Sequence, residues 1–253
     1  MFHFCCNKCA ACQPGDTKLI NDDDQIETAD SKTPTRLRDV AYEDLKERLI
    51  RGAFPPGHKL TVRGVAEELG LSSTPAREAI NRLTQEGVLV FAGPKTVVVP
   101  SLTREALDEV TAMRLALEGL AAFRGVANAT EETVTRLRSL QESINAALDR
   151  RDYVAVLASN REFHFTLYEL SNMPTLVATI ETLWLRTGAA FHDLYPEFAE
   201  SRFGVHNHLA VIESLALGDA EGVRAAIESD IRDGYRRLRR AEAERWQKES
   251  STS

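Results

Sequence analysis

The chain has 253 residues, of which 43% are hydrophobic, and a formal net charge of −7. This length leaves room for two domains with their own cores, while no apolar run approaches the 18 residues that a membrane helix requires, so a membrane-spanning protein is excluded. The acidic total argues at first against nucleic acid. However, residues 36–100 carry ten Lys and Arg against eight Asp and Glu, so the acidity lies elsewhere in the chain.

The first 35 residues lack hydrophobic periodicity and contain Pro14–Gly15 and the acidic run Asp22–Asp24, which predicts a disordered arm at 1–35. All the cysteines of the chain lie in this arm: Cys5, Cys6, Cys9 and Cys12. Cys6, Cys9 and Cys12 have a spacing compatible with a soft metal or cluster, but no fourth ligand follows at a useful spacing. A dispensable segment is therefore the simpler interpretation, and the role of these cysteines stays open. Reduced thiols and a cytoplasmic location are expected.

Residues 60–83, LTVRGVAEELGLSSTPAREAINRL, predict two short helices joined by a tight turn. The first helix is expected to end at Gly70, and the second to begin with Thr74 as its N-cap and Pro75 at its first position. Apolar residues recur on one face of each helix: Val62, Val65, Ala66 and Leu69 on the first, and Ala76, Ala79, Ile80 and Leu83 on the second.

The start of the second helix has the chemistry of a DNA contact. Hydroxyl side chains crowd it, and Arg77 and Asn81 point away from the apolar face. Free backbone N–H groups and hydroxyls at a helix N-terminus bind phosphates, and an Arg beside them reads base edges in a major groove. A solvated helical hairpin with no ligand would show the same spacing, so the pattern alone does not decide.

The flanking segments complete a winged-helix order. An amphipathic helix is predicted at Tyr42–Ile50 and is stopped by the sequence GAFPPG. After the two short helices, Val88–Phe91 and Thr96–Val99 predict strands of a hairpin with Lys95 at its tip.

The stretches IRGAFPPGHKL and VAEELGLSSTPAREAINRLTQEGVL, with the wing that follows, resemble the DNA-binding module of the GntR family of bacterial regulators over about residues 36–100. The resemblance implies DNA contacts at Arg63, Ser72, Ser73, Thr74, Arg77, Gly93 and Lys95. The family usually has Arg where this chain has Ser73, which removes a guanine-reading group worth about 1–3 kcal/mol of discrimination. The operator is therefore expected to differ from the usual half-sites or to depend more on Arg77 and Lys95.

Beyond Pro100, helical patterns occupy nearly everything to about residue 246, which predicts an all-α bundle of six or seven helices at 101–246 and a short disordered tail at 247–253. The fold class is thus mainly α, a winged helix-turn-helix followed by a helical bundle.

Polar residues fall on faces of these helices that should be buried. Asn160 and His164 are four residues apart and project side by side. His208 and Asp230 lie ten and eleven residues from either side of the predicted Gly218–Asp219 turn, so antiparallel helices would bring them to one level. Imidazoles with a carboxylate suit Zn²⁺, Ni²⁺ or Mn²⁺, although satisfied core histidines would give the same pattern.

The segments MRLALEGLAA, NREFHFTLYELSN and HNHLAVIESLALGDAEGVRAAIESD resemble the FCD effector domain of the FadR subfamily. In many such domains an Asp or Asn and three His residues bind a divalent metal, and these positions fall on Asn160, His164, His208 and Asp230. Asp230 stands where the family has its third His. A site shifted towards Mn²⁺ or Zn²⁺ and a metal-free pocket both remain open.

The same resemblance implies a small organic acid as effector, with its carboxylate on the metal or on Arg114, which matches a pocket Arg of the family. Apolar walls are expected from Trp184, Phe191, Tyr195 and Tyr235.

The function predicted from these features is a ligand-responsive transcriptional regulator, repressor or activator, that binds a pseudo-palindromic operator as a homodimer with recognition helices about 34 Å apart. One alternative is a metal-dependent hydrolase with the four polar residues as its centre; it lacks a clear general base or nucleophile close by in sequence, although Glu162 lies near. Another is a structural DNA-binding protein without an effector.

Overall fold

A computed structural model describes residues 34–94, 96–191 and 202–251. Residues 1–33 of the predicted arm, with the four cysteines, lie outside the described residues, as do Lys95 and Tyr195. In the described part of the chain, helices dominate and a small three-stranded antiparallel sheet accompanies them, as the sequence predicted. None of the described helices is long and apolar enough to span a membrane.

The first part of the fold is a winged helix. Its elements are α1 (Pro34–Ile50), β1 (Lys59–Thr61), α2 (Val62–Leu69), α3 (Ser73–Gln85), β2 (Val90–Gly93) and β3 (Thr96–Val98). Helix α1 packs on α3 through residues that include Tyr42, Leu45 and Leu49, all buried. Burial of this apolar face is what holds the short helices α2 and α3, which would be marginal in isolation.

The turn between α2 and α3 follows from its local sequence. Gly70 adopts a left-handed conformation with φ of 64°, which glycine accepts without strain, and its N–H bonds back to the carbonyls of the last turn of α2. The predicted N-cap of α3 at Thr74 is wrong: Ser72 occupies that position and Thr74 is the second residue of the helix. Pro75 still falls within the first turn, where no N–H is needed.

The wing contains one strand more than the sequence indicated. Strand β3 lies between β1 and β2, with Leu60 opposite Val97 on one side and Phe91 opposite Val97 on the other. Strand β1 has only three residues and one buried side chain, so its alternation was too short to detect. It anchors the wing to the start of α2, where Thr61 caps the helix through a bond from Gly64 N–H.

The second part of the fold is a helical bundle. Its helices are α4 (Arg104–Gly125), α5 (Glu131–Asp149), α6 (Tyr153–Glu169), α7 (Pro174–Phe191), α8 (Phe203–Ala216) and α9 (Ala220–Ser251). Helix α9 packs against α4 and α8, and α5 packs against α6. With 32 residues, α9 is about 48 Å long and continues through most of the stretch predicted as a disordered tail.

The winged helix and the bundle meet where α1 packs against α7. Lys46 of α1 contacts Glu181 of α7 at 2.6 Å, and Arg161 of α6 contacts the same carboxylate at 2.7 Å. Near the end of α1, Gly188 lies so close to the main chain of Leu49 and Ile50 that a Cβ would meet the Leu49 carbonyl oxygen at 2.7 Å. A bare helix surface at Gly188 therefore permits the close approach of these two helices.

Candidate nucleic-acid interface and effector cavity

A groove of about 650 Å³ lies on the winged helix between α2, α3 and the wing. Three of the residues that the sequence assigned to DNA contact line it together: Arg63, Ser73 and Arg77. Asn81, one turn further along α3, lines the same groove, as do Thr61, Phe91 and Pro94. The groove thus combines two guanidinium groups, hydroxyls and an amide, the donors and acceptors that contact phosphates and base edges.

The two arginines of this groove differ in their engagement. Arg63 donates from Nε to Glu67 Oε1 at 2.8 Å, and this hydrogen bond raises the pKa of Arg63. Arg77 is exposed, and no described residue forms an ion pair or hydrogen bond with it. Arg77 therefore offers all its donors to an external acceptor, whereas Arg63 must leave a surface partner first, which costs little.

Other predicted contact residues lie around the groove rather than in its wall. Ser72 and Thr74 are exposed at the start of α3, and the Ser72 side chain makes no capping bond, so its hydroxyl is available. Gly93 ends β2 at an irregularity of the strand register. The sequence did not single out Phe91, which is 64% exposed on the wing, because strand propensity alone gives no sign of the solvent-facing side.

The bundle contains a second candidate site, a cavity of about 60 Å³. The four proposed metal ligands and the pocket arginine all line it: Arg114, Asn160, His164, His208 and Asp230. Helices α4, α6, α8 and α9 therefore each contribute a polar side chain to one small space. Trp184 of α7 forms part of its wall, as expected, and Ile50 of α1 also reaches it.

Another of the proposed walls, Tyr235, does not line the cavity. Tyr235 instead donates its hydroxyl to Asp108 at 2.8 Å and packs with Leu107 and Leu238, because its position on α9 faces α4. For Phe191, only the backbone at the end of α7 belongs to the described structure. Glu162 is exposed and pairs with Arg136, so the base considered for a hydrolase points away from the cavity.

The two histidines of the cavity converge on one point. His208 Nε2 lies 3.2 Å from His164 Nε2, which in turn lies 3.4 Å from Asp230 Oδ2. The nearest ligand atoms of the three residues all fall within 4.8 Å of one another. The predicted juxtaposition of His208 and Asp230 across the α8–α9 turn is therefore present.

Hydrogen bonds on the far side of each ring decide which nitrogen carries the proton. Gln141 donates from Nε2 to Asn145, so its Oε1 accepts from His208 Nδ1 at 2.6 Å. Tyr168 donates its hydroxyl to Glu118 at 2.6 Å, so its oxygen accepts from His164 Nδ1 at 3.1 Å. Both Nδ1 atoms are therefore donors, and both Nε2 atoms face the centre of the site together with a carboxylate.

Burial and neighbouring charges determine the protonation of His208 and Asp230 at this centre. Burial disfavours the imidazolium and lowers the pKa of His208 to about 3, so the ring is neutral at physiological pH. For Asp230, burial opposes ionisation, but the contact with His164 and the charge of Arg114 outweigh it and hold the pKa of the carboxyl below its usual range. The neutral His208 Nε2 therefore faces His164 Nε2 and the Asp230 carboxylate, a set of donor atoms that a cation between them would bind.

Arg114 forms an ion pair with Glu118, four residues further along α4. Both it and Glu118 are buried, with Arg114 Nε bonded to Glu118 Oε1 at 2.6 Å and Nη2 at 3.4 Å from Oε2. The guanidinium also lies 5.0 Å from the centre of the Trp184 ring. Separating such a buried pair costs roughly 3–5 kcal/mol, so Arg114 is committed to Glu118.

Sequence reasoning missed Gln141 and Tyr168 beside the histidines, and it missed the link from Glu118 to Tyr168. Gln141 and Tyr168 orient the rings, and Glu118 holds both Arg114 and Tyr168. The available signal was the pairing of His164 with Tyr168 four residues on, which places both polar tips on the same buried side of α6.

Together, these features define the class of protein: a winged helix-turn-helix with an outward-facing groove, joined to a helical domain that holds a polar cavity. Family models match both parts. The model described as "Bacterial regulatory proteins, gntR family" matches residues 37–99, and the FCD domain model matches residues 109–233. The chain belongs to the GntR family of bacterial transcriptional regulators, in its branch with an FCD domain.

Individual relatives agree with this membership. The chain is 37% identical over 183 residues to the HTH-type transcriptional regulator McbR of Escherichia coli K12, covering 72% of this chain and 83% of the relative. The solved structure of E. coli McbR/YncC superposes with a TM-score of 0.77 at 33% identity, covering 81% of this chain and 98% of that one. A GntR regulator from Rhodococcus sp. RHA1 shares the fold, with a TM-score of 0.66 at 20% identity and coverage of 81% and 97%.

These relatives are named as regulators, and the family is not one of enzymes. The hydrolase alternative is therefore wrong. The structure also brings no base to the site from Glu162, the acidic residue near it in sequence, which faces solvent.

Proposed function

We propose that this regulator binds a pseudo-palindromic operator as a homodimer. Its affinity for the operator would rise or fall when a small organic acid binds in the bundle cavity. The observation that carries the proposal is Ile50, the last residue of α1, which both ends the first helix of the DNA-binding part and lines the cavity. A ligand in the cavity is thus in reach of the helix on which α3 packs. The site of action is the cytoplasm, where bacterial DNA lies.

The DNA-binding half of the proposal rests on the groove between α3 and the wing. The exposed start of α3 presents Ser72, Ser73 and Thr74, and Arg77 stands free one turn further along the helix. Such an end enters a major groove with its N–H groups towards phosphates and its Arg towards a base edge. Ser73 cannot form the bidentate pair of an Arg with guanine, so sequence recognition would rest more on Arg77.

The proposed operator symmetry requires two copies of the chain. Helix α4 presents an apolar stripe to solvent that includes Met113 at 39% exposure and Leu120 at 38%. Ala112, Ala116 and Phe123 fall on the same side at helical spacing. We place the dimer contact on this stripe because two α4 helices related by a two-fold axis would cover each other's apolar residues.

A divalent metal is the second part of the proposal. Asn160, His164, His208 and Asp230 would hold it, because two Nε2 atoms and a carboxylate converge and outer hydrogen bonds fix both imidazole rings. Bound there, a Zn²⁺ or Mn²⁺ ion would supply a Lewis-acidic position for a carboxylate oxygen. The donor set fits such an ion. Because the Asp230 carboxylate takes the place of the third histidine, the site favours a harder metal.

Coupling between the cavity and the DNA-binding part would pass through the contact of α1 with α7. Gly188 lies in the cavity wall and also against the backbone of Leu49 and Ile50. Nearby, Lys46 and Arg161 share the carboxylate of Glu181, so the two helices are tied by charge as well as by packing. A ligand that moves α7 would therefore tilt α1, and with it the recognition helix α3.

Genome-wide recovery of bound DNA fragments tests the function as a whole. Purified protein incubated with sheared genomic DNA should enrich fragments that share a pseudo-palindrome, and the genes beside them would name the pathway of the effector. If recovered fragments carry no common sequence and bind as weakly as random DNA, the operator-specific function is wrong.

A further inference from the structure

The cavity is small, and this limits what it accepts. A water needs about 10–15 Å³ of such space, so about 60 Å³ admits a ligand of only a few heavy atoms beside the metal ligands. Three glycines line the cavity, and because glycine has no side chain they leave its space open: Gly188, Gly204 and Gly234. A two- or three-carbon acid fits this volume, whereas a long-chain acid does not.

Two guanidinium groups line the cavity among the described residues, Arg114 and Arg202. Arg114 is buried and committed to Glu118 through contacts at 2.6 and 3.4 Å. Glu118 is fully buried, so a ligand that took Arg114 away would leave a stranded carboxylate. Of the two arginines, Arg114 would therefore pay the higher energetic cost for binding a ligand carboxylate.

Arg202 is in the opposite situation. It immediately precedes α8, is about half exposed, and forms an ion pair with Asp149, whose side chain is 64% exposed. Ion pairs between exposed side chains are weak and readily exchanged, because water solvates the partner that is released. A carboxylate that entered the cavity could replace Asp149 at little cost, and Asp149 would return to solvent.

A second donor in the cavity wall is the indole N–H of Trp184. Trp184 is buried, with 8% of its surface exposed. Its Nε1–H has no hydrogen-bond partner among the described residues. Buried N–H groups are nearly always satisfied, so one in a cavity wall without a partner among the described residues is a candidate donor to a bound acceptor. Thr187, its neighbour in the wall, already donates its hydroxyl to α7 carbonyls.

We propose that Arg202 and the Nε1–H of Trp184, rather than Arg114, bind the carboxylate of a small acid effector in this cavity. The inference rests on the proposed function, since it names the residues that select the effector of that site. Asp149 acts as the resident competitor: it holds Arg202 at the cavity wall until the ligand carboxylate takes its place.

Calorimetric titration with acetate and with acetamide tests the assignment, because the two probes have nearly the same shape and differ in charge. Wild-type protein should bind acetate at least tenfold more tightly than acetamide. Arg202→Gln should weaken acetate binding at least tenfold and abolish the preference, and Trp184→Phe should weaken both probes. Asp149→Asn should tighten acetate binding about threefold, which a purely structural role of the ion pair would not produce.

Arg224→Gln is the matched control, since Arg224 is 49% exposed, pairs with Glu228 and does not line the cavity. It should bind acetate like the wild type. Wild-type affinity for acetate in Arg202→Gln, or no gain in Asp149→Asn, would overturn the assignment while leaving the effector function standing. Wild-type protein that binds neither acetate, propionate nor lactate would overturn both.

Discussion

Gly188 of α7 touches the main chain of Leu49 in α1 so closely that a Cβ at this position would lie 2.7 Å from the Leu49 carbonyl oxygen. The contact joins the wall of the effector cavity to the last turn of the helix that supports the recognition helix α3. It is a main-chain contact, so it cannot be relieved by a change of rotamer.

Gly188→Ala should therefore force α1 and α7 apart. Overpacking against backbone typically costs about 1–3 kcal/mol, and we expect a loss of that size in the free energy of unfolding, measured by urea denaturation. Gly93→Ala is the control, because a Cβ there meets nothing within 4 Å. Equal stability of Gly188→Ala and wild type would show that the two helices separate freely, against the proposed coupling.

Tyr42 links α1 to the end of α3 through a hydrogen bond from its hydroxyl to Glu86, at 2.9 Å from Oε2. Burial, and then this bond, raises the pKa of Tyr42 well above its usual value of 10. Because the folded-state pKa is raised, the stability that Tyr42 contributes is fully present below about pH 10 and is lost as the pH rises beyond it.

Tyr42→Phe should then be less stable than wild type by about 1 kcal/mol at neutral pH. The difference should shrink between about pH 10 and 11, as the unfolded chain of the wild type ionises its tyrosine. Urea unfolding of both proteins across this range checks the trend. A constant difference up to the highest pH would mean that Tyr42 is not held protonated by Glu86 and its surroundings.

Metal binding is tested by elemental analysis of protein purified without added metal. We expect near-stoichiometric divalent metal in the wild type and its loss in His164→Ala, because that change removes an Nε2 atom from the centre of the site. His206→Ala should keep its metal, since His206 lies on α8 two residues from His208 but is exposed. A wild-type protein without metal, even after incubation with Zn²⁺ and Mn²⁺, would contradict the proposal.

Dimerisation through α4 predicts a specific sensitivity of the oligomeric state. Met113→Glu with Leu120→Glu places two charges on the apolar stripe, where they would be desolvated by the partner, so sedimentation should shift to the monomer. Val154→Glu is matched in kind, as Val154 is 61% exposed on α6, and should leave the dimer unchanged. A dimer that survives the double substitution must use another surface.

Much of the fold could be predicted because its signals are local. The apolar faces of α2 and α3 are visible as helical spacing, and residues such as Ala76, Ala79 and Leu83 are buried as expected. The start of α3 was placed two residues late, since Ser72, Ser73 and Thr74 are all suitable caps and only the backbone conformation distinguishes them. Strand β1 escaped notice because three residues carry almost no periodicity.

The cavity shows where sequence reasoning ends. His164 with Asn160, and His208 with Asp230, could be paired from helical geometry and one turn. Their surroundings could not, because Gln141 approaches from α5 and Glu118 from α4, and the packing of those helices is a long-range property. Arg202 gave no signal, since it precedes a helix without capping it and meets Asp149 only through the fold.

The most direct test of the account is the affinity of the protein for its recovered operator, measured by fluorescence anisotropy with and without Arg77→Ala. Loss of the Arg77 guanidinium, which no described residue engages and which we propose to read a base, should weaken specific binding roughly tenfold or more, with little effect on random DNA. Arg136→Ala, which removes an exposed charge from α5, should bind the operator like the wild type. Unchanged operator affinity in Arg77→Ala would contradict the claim that the start of α3 reads DNA.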